Sequence, residues 1–197
     1  MVQFHLKMAK DLNQMTTDEL GQLFPIILVD YNPEWPKLAS IESKNIIEAV
    51  GKEFISRVEH IGSTAVPGLC AKPTIDYILE ILEITDCDLL IRQLQKLEYH
   101  YIPKPENPSP HMMFAKGYSK SGITGQTFHI HVRYPGDWDE IVFRDYLKEN
   151  KPVAADYARL KRKLAIEFKN DREKYTDSKS TFIRNILLTA RKTKIQA

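Results

Sequence analysis

Between Thr127 and Arg133 the chain reads T-F-H-I-H-V-R, apolar and polar in alternation, the period of a half-buried strand. His129 and His131 therefore share one face, and Phe128, Ile130 and Val132 the other. Thr74 to Ile84, T-I-D-Y-I-L-E-I-L-E-I, is nearly continuous in apolar residues. Asp76, Glu80 and Glu83 interrupt it, which predicts a central strand with a wet end at Asp76. Phe24 to Tyr31 and Phe54 to Ile61 are short and rich in β-formers, and both read as strands, the second ending at Gly62. His111 to Lys116 reads as an edge strand. Gly117 to Gly125 reads as a turn or mobile loop, and the proline-rich Pro103 to Pro110 as irregular.

Elsewhere the period lengthens to that of a helix. Pro36 suits a helix start, and Leu38, Ile41, Ile46, Ile47 and Val50 are its buried candidates, with Gly51 as the stop. Leu89, Leu90, Leu94 and Leu97 form a stripe on a helix over about Cys87 to Leu97. From Asp137 the pattern is helical: Trp138 to Leu147, Val153 to Phe168, a break at Asn170 and Asp171, then Thr181 to about Lys192. Residues 1 to about 22 are polar with scattered apolar positions, a short helix or an arm. A sheet followed by helices is an α+β protein. The expected organisation is an extension over 1–24 and one domain over 25–195, sheet-rich to 135 and helical from 136.

Composition narrows the field. At 197 residues, 43% hydrophobic and 27% charged, the chain fits one soluble domain. Its 28 basic and 26 acidic residues give a net charge of +2, too balanced to indicate a nucleic-acid partner. Basic clusters at Arg159 to Lys163 and Arg191 to Lys194 read as solvated helix faces. Cys70 and Cys87 share no metal-ligand spacing, which suits a reducing, cytoplasmic compartment. No apolar stretch approaches the ~20 residues of a membrane span, and the first residues carry no secretory pattern.

The chemistry concentrates between Glu59 and Glu80, E-H-I-G-S-T-A-V-P-G-L-C-A-K-P-T-I-D-Y-I-L-E. Gly62 follows a strand and would let a phosphate approach the backbone. If Ser63 and Thr64 open a short helix, their N–H groups and hydroxyls face one cavity and favour an anion. Lys72 would neutralise phosphate, and Asp76 at the strand end would hold a divalent metal. The alternative is an Asp and a Lys making surface pairs at the sheet rim. His129 and His131 reach one ligand or metal together, and with His60 and Asp76 would suit a transition metal. Glu59 adjoins His60 but faces the other way on a regular strand, so a bulge or strand end is needed to bring it in. Arg144 and Lys161 are candidates for gripping phosphate or carboxylate. Arg144 equally suits a pair with Asp145 or Asp156 that ties helices together.

These segments resemble the GrpB (UPF0157) family, a group related to the nucleotidyltransferase fold and also found fused behind dephospho-CoA kinase in some bacteria. The resemblance runs through V-D-Y-N-P-E-W-P from Val29, the Glu59 to Asp76 stretch, F-H-I-H-V from Phe128 and F-R-D-Y-L from Phe143. It ends with Y-A-R-L-K-R-K-L-A and D-R-E-K-Y-T-D-S-K, so it covers about residues 25 to 190. It implies a nucleotidyltransferase-like mixed β-sheet flanked by helices, with a helical C-terminal part. Gly62 and Ser63 match the Gly-Ser element that contacts nucleotide phosphates. Asp76 matches the first carboxylate of the D-x-[D/E] element, a ligand of catalytic Mg²⁺. A hydroxyl would then attack the α-phosphate as pyrophosphate leaves.

The pattern departs from the family's wider superfamily at the second carboxylate, where Ile78 stands. Glu80 shares the strand face but lies about 13 Å beyond Asp76. His129 or His131 occupies the region of the third acid, which shifts the metal preference from Mg²⁺ towards Mn²⁺ or Zn²⁺. Three functions follow from the resemblance and this departure. One is nucleotidyl transfer from a nucleotide or other phosphorylated ligand to an unknown hydroxyl. Another is a non-catalytic module for a nucleotide or CoA-like metabolite, and the third is a metal-dependent phosphohydrolase.

Overall fold

The computed structural model describes residues 12–196 and is an α+β fold, a mixed five-stranded sheet flanked by helices with a helical C-terminal region. In chain order the elements are α1 (Thr17–Leu23), α2 (Trp35–Val50), β1 (Ile55–Ile61), β2 (Thr74–Ile81), α3 (Cys87–Lys96), β3 (His100–Pro103), β4 (Met112–Ser119) and β5 (Gly122–Arg133). The helical part adds α4 (Asp139–Glu149), α5 (Lys151–Glu167), α6 (Arg172–Asp177) and α7 (Ser180–Gln196). The first 11 residues of the expected N-terminal extension lie outside the described residues.

The strand order is β1-β2-β5-β4-β3, with β2 and β5 parallel and the other pairs antiparallel. Alternation along the strands sends Ile75, Tyr77, Leu79, Phe128, Ile130 and Val132 to one face, all buried. There they pack against Trp35, Ala39, Ile46 and Val50 of α2 and Leu90 and Leu94 of α3. Side chains of this size contribute about 1.5–3 kcal/mol each when fully buried, so this layer is the main source of stability. Val66, Leu69 and Cys70 of the β1–β2 connection pack instead against Leu147, Tyr157 and Ala158. That second cluster holds the C-terminal helices over the opposite face of the sheet. No helix among the described residues is long and apolar enough to cross a membrane.

Several expected elements differ. Phe24 to Tyr31 is not a strand but a strap that pairs only through Val29 and Ala71. Pro25 has no N–H to donate, and Ile26 donates its own to the Lys169 carbonyl at 2.6 Å, bridging towards the C-terminal helices. Ile41 is exposed, since the buried stripe of α2 runs through Trp35, Ala39, Glu42 and Ile46. β2 stops at Ile81, and Ile84 is exposed. The region read as a turn is a long β4–β5 hairpin, in which β4 is internal and β3 forms the edge. Its glycines suggested a loop. Gly117 instead marks an irregularity in the ladder, at φ +87°, where a Cβ would lie 2.7 Å from the Gln126 carbonyl oxygen. The short α6 fills the expected break after Asn170.

Candidate functional site

The pairing register sets the chemistry out in rows across the helix-covered face of the sheet. Ile61, Asp76, His129 and Ala115 form one row, and Glu59, Ile78, His131 and Met113 the next. Arg57, Glu80 and Arg133 form a third. A cleft of about 1830 Å³ has Asp76, His129 and His131 in its lining, together with Ser63, Lys72, Tyr118, Arg172 and Lys179. That exceeds the roughly 300–1,000 Å³ of a small-ligand pocket.

Asp76 and His129 are adjacent and bonded, His129 Nδ1 lying 3.1 Å from Asp76 Oδ1. Burial pushes the Asp76 carboxyl up, but the His129 hydrogen bond and the charges of His129, His131 and Lys72 outweigh it and hold the carboxyl below its ordinary range. An ionised carboxylate only accepts, so Nδ1–H donates to it and Nε2 is left to accept the Tyr118 hydroxyl at 2.9 Å. His131 makes no hydrogen bond to a described residue, and burial pushes its pKa down. Gly62 sits against the carboxylate. A Cβ there would stand 2.6 Å from Asp76 Oδ2, so the glycine makes room for Asp76 rather than only for a ligand.

The Gly-Ser segment is a single 3-10 turn over Ser63–Ala65. Ser63 opens on the cleft, whereas Thr64 is buried and faces away from it. The Thr64 hydroxyl donates to the Thr74 carbonyl at 3.1 Å, so its oxygen accepts from His60 Nε2 at 3.0 Å. His60 pairs with Tyr77 in the register and lies on the opposite face from Asp76, so the three histidines do not converge. Burial pushes its pKa down to about 4. Glu59, by contrast, reaches the site face with no bulge at its own position. Its carboxylate accepts from Arg144 Nη1 at 2.6 Å. Arg144 also donates to Asp145 and to the His60 carbonyl, which ties α4 to β1 and uses several of its donors. Lys161 is buried behind Ser63, 2.8 Å from its hydroxyl, and meets a cleft ligand only through that serine. Glu80 is sequestered: Arg57, the Gly136 N–H and the Trp138 indole all donate to it.

Lys72 finds two partners that residue-by-residue reasoning missed. Lys72 and Lys179 stand 5.9 and 4.3 Å from the centre of the Tyr175 ring, within cation–π range. Burial and the charge of Arg172 push Lys72 down to about 8, and burial and Lys72 push Lys179 down to about 8. Among the described residues none of the three cations has a carboxylate within ion-pair distance. Arg172, Tyr175 and Lys179 all lie in D-R-E-K-Y-T-D-S-K, so that motif carried the signal. Tyr118 was hidden in the stretch read as a turn.

The family model described as GrpB protein matches residues 25–188. This chain belongs to the GrpB family. It is 34% identical over 189 residues to UPF0157 protein BH1888 of Halalkalibacterium halodurans, covering 93% of this chain and 92% of that one. The crystal structure of conserved protein GrpB from Enterococcus faecalis is similar with a TM-score of 0.73 and 32% identity, over 85% of this chain and 99% of that one. A dephospho-CoA kinase of Mycolicibacterium paratuberculosis is 27% identical over 183 residues, covering 82% of this GrpB chain but 45% of the kinase.

Among the described residues of this GrpB protein, no group of three His, Cys, Asp or Glu side chains is arranged to hold a metal ion. Asp76 and His131 are the two donors available on one face, because both nitrogens of His129 are engaged. A carboxylate with an imidazole suits a transition metal such as Mn²⁺ or Zn²⁺ better than Mg²⁺, which prefers oxygen ligands.

Proposed function

We propose that the cleft binds a nucleotide or another phosphorylated metabolite. Its phosphates lie against Lys72, Arg172, Lys179 and Ser63, and its reactive end points towards Asp76 and His129. One observation carries this reading. Three cations converge with no carboxylate within ion-pair distance among the described residues, and two of them have lost proton affinity to burial and mutual repulsion that the more distant Asp76 does not offset. Such a cluster is stabilised by an incoming polyanion.

On a nucleotidyltransferase-like reading of the fold, the reaction is transfer of a nucleotidyl group to a hydroxyl acceptor. His129 is oriented by Asp76, and its Nε2 can exchange the Tyr118 hydroxyl for that of an acceptor and take the proton. A divalent cation, Mg²⁺ or Mn²⁺, or Zn²⁺ if His131 dominates, would be held by Asp76 and His131 and would neutralise charge on the phosphate oxygens. We place the protein in the cytoplasm, where its two free cysteines stay reduced. A second reading, a non-catalytic module for a nucleotide or CoA-like metabolite, is favoured by Ile78, fully buried where a second carboxylate would stand.

Calorimetric titration with ATP and with inorganic triphosphate tests the shared premise. Both should bind wild type, and Lys72→Met/Lys179→Met should weaken both by at least tenfold. Equal affinity in the two proteins would overturn the phosphate assignment. Turnover of bound ATP with a hydroxyl acceptor separates the enzyme from the module.

A further inference from the structure

We propose that Ser63 is a nucleophile, with Lys161 as its base, and that it accepts a phosphoryl or nucleotidyl group from the ligand bound beside it. Lys161 enters from α5 and is 2% exposed. Its ammonium position lies 2.8 Å from Ser63 Oγ, against the Cys70 carbonyl and 4.9 Å from the centre of the Tyr157 ring. No carboxylate is within ion-pair distance among the described residues. An isolated ammonium is costly to bury, and such a group sheds its charge rather than its burial.

The groups that face Lys161 reinforce this. Burial is the largest influence and lowers the pKa, Cys70 comes next and acts the other way, and Lys179 and Arg162 add smaller lowering effects, so the amine is brought down to about 7. Once neutral, Nζ has a lone pair and can accept the proton of the hydroxyl it touches. Hydroxyl and amine within hydrogen-bond reach, the base fixed by a third contact, is the arrangement that activates a serine. Ser63 opens on the cleft, while Lys161 is shielded behind it.

The step balances without a co-reactant. Ser63 Oγ bonds to phosphorus, the bond from phosphorus to the leaving oxygen breaks, and the leaving group departs with the electron pair. The serine proton moves to Lys161 Nζ, and the leaving oxygen takes up its own proton from solvent in the cleft. The identity of the transferred group rests on the phosphate-binding reading; the nucleophile itself does not.

Diisopropyl fluorophosphate tests the nucleophile separately, because it carries no anionic phosphate. Its P–F bond should break on attack by Ser63, leaving an adduct that peptide mapping by mass spectrometry places at that residue. Labelling should rise with pH through about 7 and disappear in Ser63→Ala. Lys161→Arg, which keeps donors and charge but cannot take the proton, should lower the rate at least tenfold at pH 8. Adduct elsewhere, no adduct, or a rate in wild type unchanged from pH 5.5 to 8.5 would overturn the proposal. That pH profile needs only wild type, so it decides even if a variant misfolds. Labelling that persists while ATP and triphosphate fail to bind would uphold the nucleophile and sink the phosphate reading alone.

Discussion

Gly62→Ala probes the contact that joins the Gly-Ser turn to the aspartate. Gly62 has φ +72° and ψ −170°, a region of backbone space reserved almost wholly for glycine. Placing alanine there costs about 1–3 kcal/mol by itself. The new methyl would also stand 2.6 Å from Asp76 Oδ2, so the carboxylate must move. Moving it breaks the 3.1 Å bond to His129. A hydrogen bond to a charged group contributes about 1.5–3 kcal/mol, and the lower end applies because the Asp76 side chain is 27% exposed. The expected total is about 2.5–4.5 kcal/mol in urea unfolding at pH 7. Repeated in an Asp76→Ala background, the same substitution should cost about 1.5 kcal/mol less, since no carboxylate remains to be displaced. Equal costs in the two backgrounds would refute the steric coupling, and a cost below about 0.5 kcal/mol would refute the backbone argument as well.

Three further outcomes are expected. His60 has a folded pKa of about 4 against an ordinary 6.5, so as pH falls through this window the unfolded chain takes up the proton first. Wild type should lose about 2–3 kcal/mol between pH 7 and 4.5, and His60→Gln clearly less, by urea midpoints at the two pH values. Asp76→Ala should abolish the gain in ATP affinity that Mg²⁺ gives wild type, and calorimetry with and without Mg²⁺ reads this directly; an undiminished gain would remove Asp76 from the cation. Glu80→Gln leaves Arg57 without its counter-charge and should cost about 2 kcal/mol, below the full value for a buried pair because Arg57 is 37% exposed. Chemical unfolding followed by Trp138 fluorescence checks that cost.

Local pattern revealed much of the sheet because alternation is a property of the strand itself. His129 and His131 fall on one face and Phe128, Ile130 and Val132 on the other, as the register requires. What pattern could not convey was the partner across the gap. His60 and Glu59 are neighbours on β1, and only its pairing with β2 decides that Glu59 joins the site face while His60 turns to Tyr77 and Thr64. Pro25 and the Lys169 carbonyl likewise override the β-formers of the strap after Phe24, a contact between residues more than 140 positions apart. The basic cluster was illegible for the same reason. Lys72 precedes β2, whereas Lys179 follows α6, and Tyr175 brings them together only in the folded chain.

The rows across the sheet also decide the electrostatic character of the cleft. Moving two residues along β2 at a time passes from Asp76, bonded to His129, through buried Ile78, to Glu80, fully engaged by Arg57, Gly136 and Trp138. Negative charge available to a ligand on this strand is therefore confined to Asp76. Around it stand Lys72, Arg172 and Lys179, with Lys161 behind Ser63. Among the described residues the acids are not grouped as a pair of metals about 3.5–4 Å apart would require. On the function proposed above, the ligand would bring its own negative charge and its own oxygen ligands for any cation. Burial, with smaller contributions from the charges of Lys179 and Arg162, holds Lys161 towards its neutral form beside Ser63.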